Sequence, residues 1–153
     1  MKNTIELLQA HGINIINNQI AKADVALAIS VIAAKELSEK DQIELVEKNS
    51  TAIKSFKNPS EKVQLAAVYR NWKIIEHIKN PSEKVQLAAV QENWRSLRYI
   101  KNPSEKVQIE AVQADSNAIQ YIENPSEKVQ IEAAEQCGCI IEHIENPSEK
   151  VQL

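Results

Sequence analysis

The sequence predicts an all-α solenoid, built from two-helix units of 22 residues stacked in chain order behind an N-terminal helical cap. Three observations carry that expectation. Asn-Pro-Ser-Glu-Lys-Val-Gln occurs five times, beginning at Asn58, Asn80, Asn102, Asn124 and Asn146, with a constant step of 22 residues. Two glycines and five prolines in 153 residues argue against a loop-rich β protein or a disordered chain. Aromatic residues make up 4% of the chain, so its core must come from Ile, Leu, Val and Ala. With 43% apolar and 25% charged residues, the chain has the composition of one ordinary domain that needs neither disulfide nor structural metal.

Residues 1–35 fall outside the period and read as the cap. Thr4–Ala10 suggests a short helix stopped by His11-Gly12. Asn17 or Asn18 then caps a longer helix from about Gln19 to Lys35. That helix is apolar on most sides (Ile20, Val25, Leu27, Ile29, Val31, Ile32), so the first repeat or a second copy of the chain must cover it. The apolar run Val25–Ala34, broken by Ser30, is too short to cross a bilayer. Met1–Glu6 lacks the start of a signal peptide, so a cytoplasmic location is expected and the Asn49-Ser50-Thr51 sequon is discounted.

The repeats follow. Glu36-Leu37-Ser38-Glu39-Lys40-Asp41-Gln42-Ile43 opens a degenerate unit over 36–57. Full units span 58–79, 80–101, 102–123 and 124–145, and a partial one spans 146–153. Within a unit, Asn58 is expected as N-cap, Pro59 as the first helical residue and Glu61 as the capping-box partner. The helix runs to about Arg70, where Asn71, Asn93, Asp115 or Cys137-Gly138 supplies turn chemistry. A second helix of about two turns follows, with apolar residues at Ile75 and Ile78 and their counterparts, until the next proline ends it. A unit this small cannot bury its own apolar face, so neighbours stack, about 8–10 Å apart, into a gently superhelical rod.

Helical phase puts Val63, Leu65, Ala67 and Val68 in a wide buried arc, and Lys62, Ala66, Tyr69 and Arg70 opposite it. Glu110 and Glu132 replace Ala66 and Ala88, which suits an exposed position. Gln64, Gln86, Gln108 and Gln130 fall inside the buried arc, so they are expected to form a structural ladder whose amides satisfy backbone groups.

Asn58-Pro59-Ser60-Glu61-Lys62-Val63-Gln64-Leu65-Ala66-Ala67-Val68 resembles the short α-helical tandem repeats of unknown function found in bacterial and large-virus proteins. These are distantly similar to leucine-rich-repeat-variant and HEAT-like solenoids. The resemblance covers Glu36–Leu153 and implies a binding scaffold without a known catalytic site.

Catalytic signatures are missing from the sequence: no Gly-rich phosphate loop, no Gly-x-Ser-x-Gly and no His-Glu-x-x-His. No catalytic residue, cofactor or metal is therefore expected. Cys137, Cys139 and His143 cluster, but no second ligand pair exists, and the cysteines stand where other units place turn residues. Reduced turn cysteines are the expectation. His77 and His143 share a repeat position with Tyr99 and Tyr121, which suggests a half-buried ladder rather than acid–base catalysts.

What varies between near-identical units carries the functional signal. Residues 58–101 hold eight Lys or Arg against four Glu, a net +4, whereas residues 102–145 hold two Lys against nine Asp or Glu, a net −7. Trp72 and Trp94 lie in the basic half at equivalent positions, either as wedges between units or as a patch; Ser116 and Gly138 at the same place favour the patch. Tyr69, Arg70, Trp72, Lys73, Trp94, Arg95, Arg98 and Tyr99 are thus the candidate partner-binding residues, of types that dominate binding hot spots. The expected function is a non-enzymatic protein–protein interaction module facing an acidic partner, and a narrower form is an inhibitor carried by a phage or mobile element. The alternative is nucleic-acid binding by Trp/Tyr stacking and Arg/Lys phosphate contacts. Against it, a pI of 5.7 and the −7 half repel a long polyanion. No membrane partner is expected, and a homodimer would form through the Gln19–Lys35 helix or the uncapped repeat edge at 146–153.

Overall fold

The computed structural model describes residues 15–16, 19–20, 37–144 and 146–152. The fold is an all-α solenoid in which successive helices of the 22-residue units pack on their neighbours. The chain divides into two compact units, Met1–Ala67 and Val68–Leu153, and the division falls inside one helix.

In the first unit, β1 (Ile15–Ile16) pairs antiparallel with β2 (Gln19–Ile20), Ile15 opposite Ile20 and Ile16 opposite Gln19. This corrects the helix expected to begin at Gln19: at Gln19 and Ile20 the chain is extended. β-branched Ile favours extended backbone. The remainder of both expected cap helices lies outside the described residues. Next come α1 (Glu39–Lys48), the 3₁₀ helix η1 (Ser50–Ser55) and α2 (Glu61–Arg70), which continues into the second unit. The second unit then alternates η2 (Trp72–His77), α3 (Glu83–Glu92), η3 (Trp94–Tyr99), α4 (Glu105–Ala114), η4 (Ser116–Tyr121), α5 (Glu127–Gln136), η5 (Gly138–His143) and α6 (Glu149–Gln152).

The α-helices start two residues later than the capping rule places them. Ser82, Ser104 and Ser126 are the N-caps, each with φ near −62° and its hydroxyl accepting from the N–H three residues on. The first intrahelical bond runs from Gln86 N–H to Ser82 C=O at 2.9 Å, which leaves Asn and Pro outside the helix. Asn80 and Asn102 have φ of 50° and 51°, and an N-cap needs extended backbone, so asparagine here turns the chain rather than capping it.

A single residue joins each α-helix to its 3₁₀ helix. Asn93 N–H closes α3 on Ala89 C=O at 3.0 Å, its Oδ1 accepts from Arg95 N–H at 3.0 Å, and its carbonyl accepts from Ser96 N–H at 2.9 Å. Asn49, Asn71 and Asp115 cap their 3₁₀ helices in the same way. The second helix is 3₁₀: it spans six residues, and its end closes with an i→i+3 bond, as from Ile78 N–H to Ile75 C=O at 3.1 Å. The core alternates accordingly: Val63, Val85, Val107 and Val129 are fully buried, as are Ala67, Ala89, Ala111 and Ala133, and Ile75, Leu97 and Ile119 close it from the 3₁₀ side.

The position expected to be exposed is not. Ala88 is buried and Ala66, Glu110 and Glu132 are half-buried, because the position lies at the seam between helices. Gln91 Nε2 donates to Glu110 Oε1 at 2.9 Å and Gln113 Nε2 to Glu132 Oε1 at 2.8 Å across that seam.

Candidate functional site

The 3₁₀ helices of Val68–Leu153 present a row of rings and cations. Trp72 and Trp94 each open their helix, and Tyr99 and Tyr121 each close the 3₁₀ helix of the next repeat. Trp72 meets Tyr99 with ring centroids 6.4 Å apart, and Trp94 meets Tyr121 at 6.1 Å, both pairs tilted by 35–38°. Cations lie over the rings: Arg95 at 4.3 Å from the Trp94 centroid, Lys73 at 5.4 Å from Trp72, and Arg98 at 5.2 Å from Tyr99 and 5.9 Å from Tyr121. Both tryptophans are half-buried, so one part of each indole packs on the framework and the other faces solvent.

Of the candidate partner-binding residues, Trp72, Lys73, Trp94, Arg95, Arg98 and Tyr99 thus come together in one row. Tyr69 and Arg70 are exposed on the last turn of α2, and Tyr69 takes no part in the ring pairs. Tyr121, 37% exposed, belongs to the row although charge asymmetry directs attention away from its unit. The signal that finds it is the period, since it occupies the position of Tyr99. The histidines at that position are not a half-buried ladder: His77 and His143 are exposed, because a smaller ring lacking a tryptophan neighbour has nothing to lie against.

The glutamines bind the backbone ahead of each α-helix. Nε2 of Gln64, Gln86, Gln108 and Gln130 donates to the carbonyl of Pro59, Pro81, Pro103 and Pro125 at 2.9–3.0 Å, and Gln42 does the same to Leu37. Proline excluded from the helix leaves its carbonyl without an intrahelical donor, and the amide five residues on supplies one. Gln130, the buried member, also accepts from Ser148 N–H at 2.8 Å.

A second set of contacts joins repeats through Ser-Glu-Lys, and single-helix capping rules do not foresee it. Glu39 accepts from Ser60 Oγ at 2.7 Å and Lys62 Nζ at 3.2 Å, and Glu105 accepts from Ser126 Oγ at 2.5 Å. Lys150 Nζ pairs with Glu127 at 2.8 Å. The Ser60 hydroxyl, then the Lys62 ammonium, hold the Glu39 carboxyl below its ordinary 4.5. In sequence the same Glu looks like a capping-box residue.

Cys137 and Cys139 are joined by a disulfide, which corrects the expectation of two reduced thiols. Cys137 provides no side-chain cap to η5, unlike Asn or Asp at its equivalents, so a covalent link stands where a hydrogen bond holds the other turns. Among the described residues no three His, Cys, Asp or Glu converge in a way that would hold a metal ion, and no helix is long and apolar enough to cross a membrane. On the acidic repeats a recess of about 470 Å³ opens beside η4 and η5, lined by Gln120, Tyr121, Glu123, Gln130 and His143. No family model, no curated protein and no solved structure matches the chain.

Proposed function

We propose that the chain is a non-enzymatic protein-binding module whose 3₁₀ row engages an acidic surface. The observation that carries this reading is the two tilted ring pairs, Trp72–Tyr99 and Trp94–Tyr121, with Lys73 and Arg95 over the indoles and Arg98 over both tyrosines. Rigid aromatic area costs little entropy to fix, and guanidinium groups pair bidentately with carboxylates. In this reading the chain is a scaffold of the kind its Asn-Pro-Ser-Glu repeats resemble. The narrower form, a phage- or mobile-element inhibitor of a host protein working in the cytoplasm, rests on small size and the missing catalytic motifs alone.

Affinity capture on the immobilised chain, read by mass spectrometry, tests the proposal. Trp94→Ala and Arg95→Glu should each weaken the captured protein's binding by about 2 kcal/mol, roughly thirtyfold in Kd. Glu132→Lys should leave it unchanged. Trp72 and Trp94 are the only tryptophans, so their emission reports occupancy of the row directly. Capture unaffected by both substitutions overturns the reading. Tight binding of single-stranded DNA with a steep salt slope would favour the nucleic-acid alternative instead.

A further inference from the structure

The row needs an acidic counterpart, and the chain carries one. We infer that the row's partner is a second copy of the chain, paired face to face with its repeats in antiparallel order, so that units 80–101 and 102–123 meet across a twofold axis. The inference rests on the binding reading of the row and names its partner.

Charge is the first support. Residues 72–79 and 94–101 carry five Lys or Arg and one Glu, whereas residues 116–123 and 138–145 carry three Glu and neither Lys nor Arg. Lys73, Arg95, Arg98, Lys101, Glu123 and Glu142 are all exposed. Among the described residues, Lys101 and Glu123 make no ion pair within the chain. Equivalent positions recur every 22 residues, so an in-plane twofold axis along the 3₁₀ helices sets each position against the same position with the unit order inverted. Lys101 then meets Glu123 of the second copy, and Glu123 meets its Lys101. One like pair, Glu76 against Glu142, lies at the outer edge. A twofold axis along the stack would instead keep the unit order and set the basic units 58–101 against themselves, which like-charge repulsion disfavours.

Size is the second support, and it is independent of charge. The same antiparallel order sets Trp94 opposite Ser116 and Trp72 opposite Gly138. Each half-buried indole therefore faces a small residue. A Cβ at Gly138 would meet no atom within 4 Å, so the space before it is open. The recess beside η4 gives the facing cation a seat, because Glu123 supplies a carboxylate there and Tyr121 a ring face.

Sedimentation velocity on the full chain tests the pairing. Wild type should dimerise at low salt and weaken as salt rises, with a concentration-dependent change in tryptophan emission. Lys101→Glu and Glu123→Lys should each lower dimer affinity by roughly tenfold or more, since each creates two like-charge contacts across the axis. Mixed in equal amounts, the two variants should form a heterodimer, because both contacts become complementary again. Ser116→Trp, which fills the space opposite Trp94 and leaves charge alone, should also abolish pairing with the helical signal unchanged. A wild type that stays monomeric at low salt and high micromolar concentration, or a variant mixture that does not pair, overturns the inference. If the monomeric wild type still captures another protein through Trp94 and Arg95, the self-pairing alone falls; if neither occurs, the binding role of the row falls with it.

Discussion

Ser96 is fully buried in η3, and its hydroxyl has no hydrogen-bond partner among the described residues. The equivalent residues in neighbouring units are Ala52, Ile74, Ala118 and Ile140, all buried and apolar. A buried hydroxyl without a partner costs about 1–3 kcal/mol, and an alanine of nearly the same volume is already accepted at two equivalents. Ser96→Ala should therefore stabilise the chain by about 1 kcal/mol, raising Tm by roughly 2–4 °C in thermal melts. Gln108 predicts the opposite sign. Its amide donates to Pro103 C=O at 2.9 Å, so Gln108→Leu strips that carbonyl of its donor and should cost about 1–3 kcal/mol in chemical denaturation. An unchanged midpoint would mean that water reaches the Pro103 carbonyl and replaces the amide.

At the scale of elements, the repeat made the α-helices and their buried stripe legible, because Val63, Ala67 and Val68 follow a helical period that recurs every 22 residues. Local rules misplace the caps. Asn58-Pro59 satisfies the start signature in sequence, but Ser38, Ser82, Ser104 and Ser126 are the N-caps, and the positive φ at Asn80 and Asn102 excludes the cap conformation there. The row was legible as six of the candidate residues; Tyr121 was hidden by its acidic unit, and the disulfide by the turn role of its position. The contacts between repeats were invisible, since a Glu three residues after an Asn satisfies the helix rule without any neighbour. They yield a pH prediction. The Glu39 carboxyl is held below its ordinary value, so its contribution is present above about pH 4.5 and lost as pH falls through the lowered pKa. Glu39→Gln should flatten the decline of Tm on the acid side of pH 4.5 and leave neutral-pH folding intact. An identical acid slope in both proteins would show that Ser60 and Lys62 do not act on Glu39 in solution.

For the whole molecule, the sum of short-range contacts matters more than any long-range one. Helices α3, α4 and α5 each pack on the next α-helix and on their own and preceding 3₁₀ helices, as expected of a chain stabilised by nearest-neighbour interfaces. Stability should then fall in steps set by the repeat. Deleting residues 102–123 joins Lys101 to Asn124 and restores every local junction, because Asn124-Pro125-Ser126 repeats Asn102-Pro103-Ser104. That variant should keep its helical signal per residue and melt at a lower temperature. Deleting residues 102–112 alone breaks the period and should abolish cooperative melting. Equal behaviour of the two deletions would refute stabilisation by repeat register.

The asparagines that precede the motif prolines have a further consequence, for chemical ageing. Asn is one of the few side-chain-bearing residues that accept the left-handed backbone seen at Asn80 and Asn102. It is also a residue prone to spontaneous deamidation, which begins when the backbone nitrogen of the next residue attacks the side-chain amide. In all five full copies of the motif that next residue is proline, whose nitrogen carries no hydrogen and is already fully substituted. The following proline thus shields the asparagine from slow decay at Asn58, Asn80, Asn102, Asn124 and Asn146 alike, and at Asn80 and Asn102 the shielded residue is also the one that provides the left-handed turn.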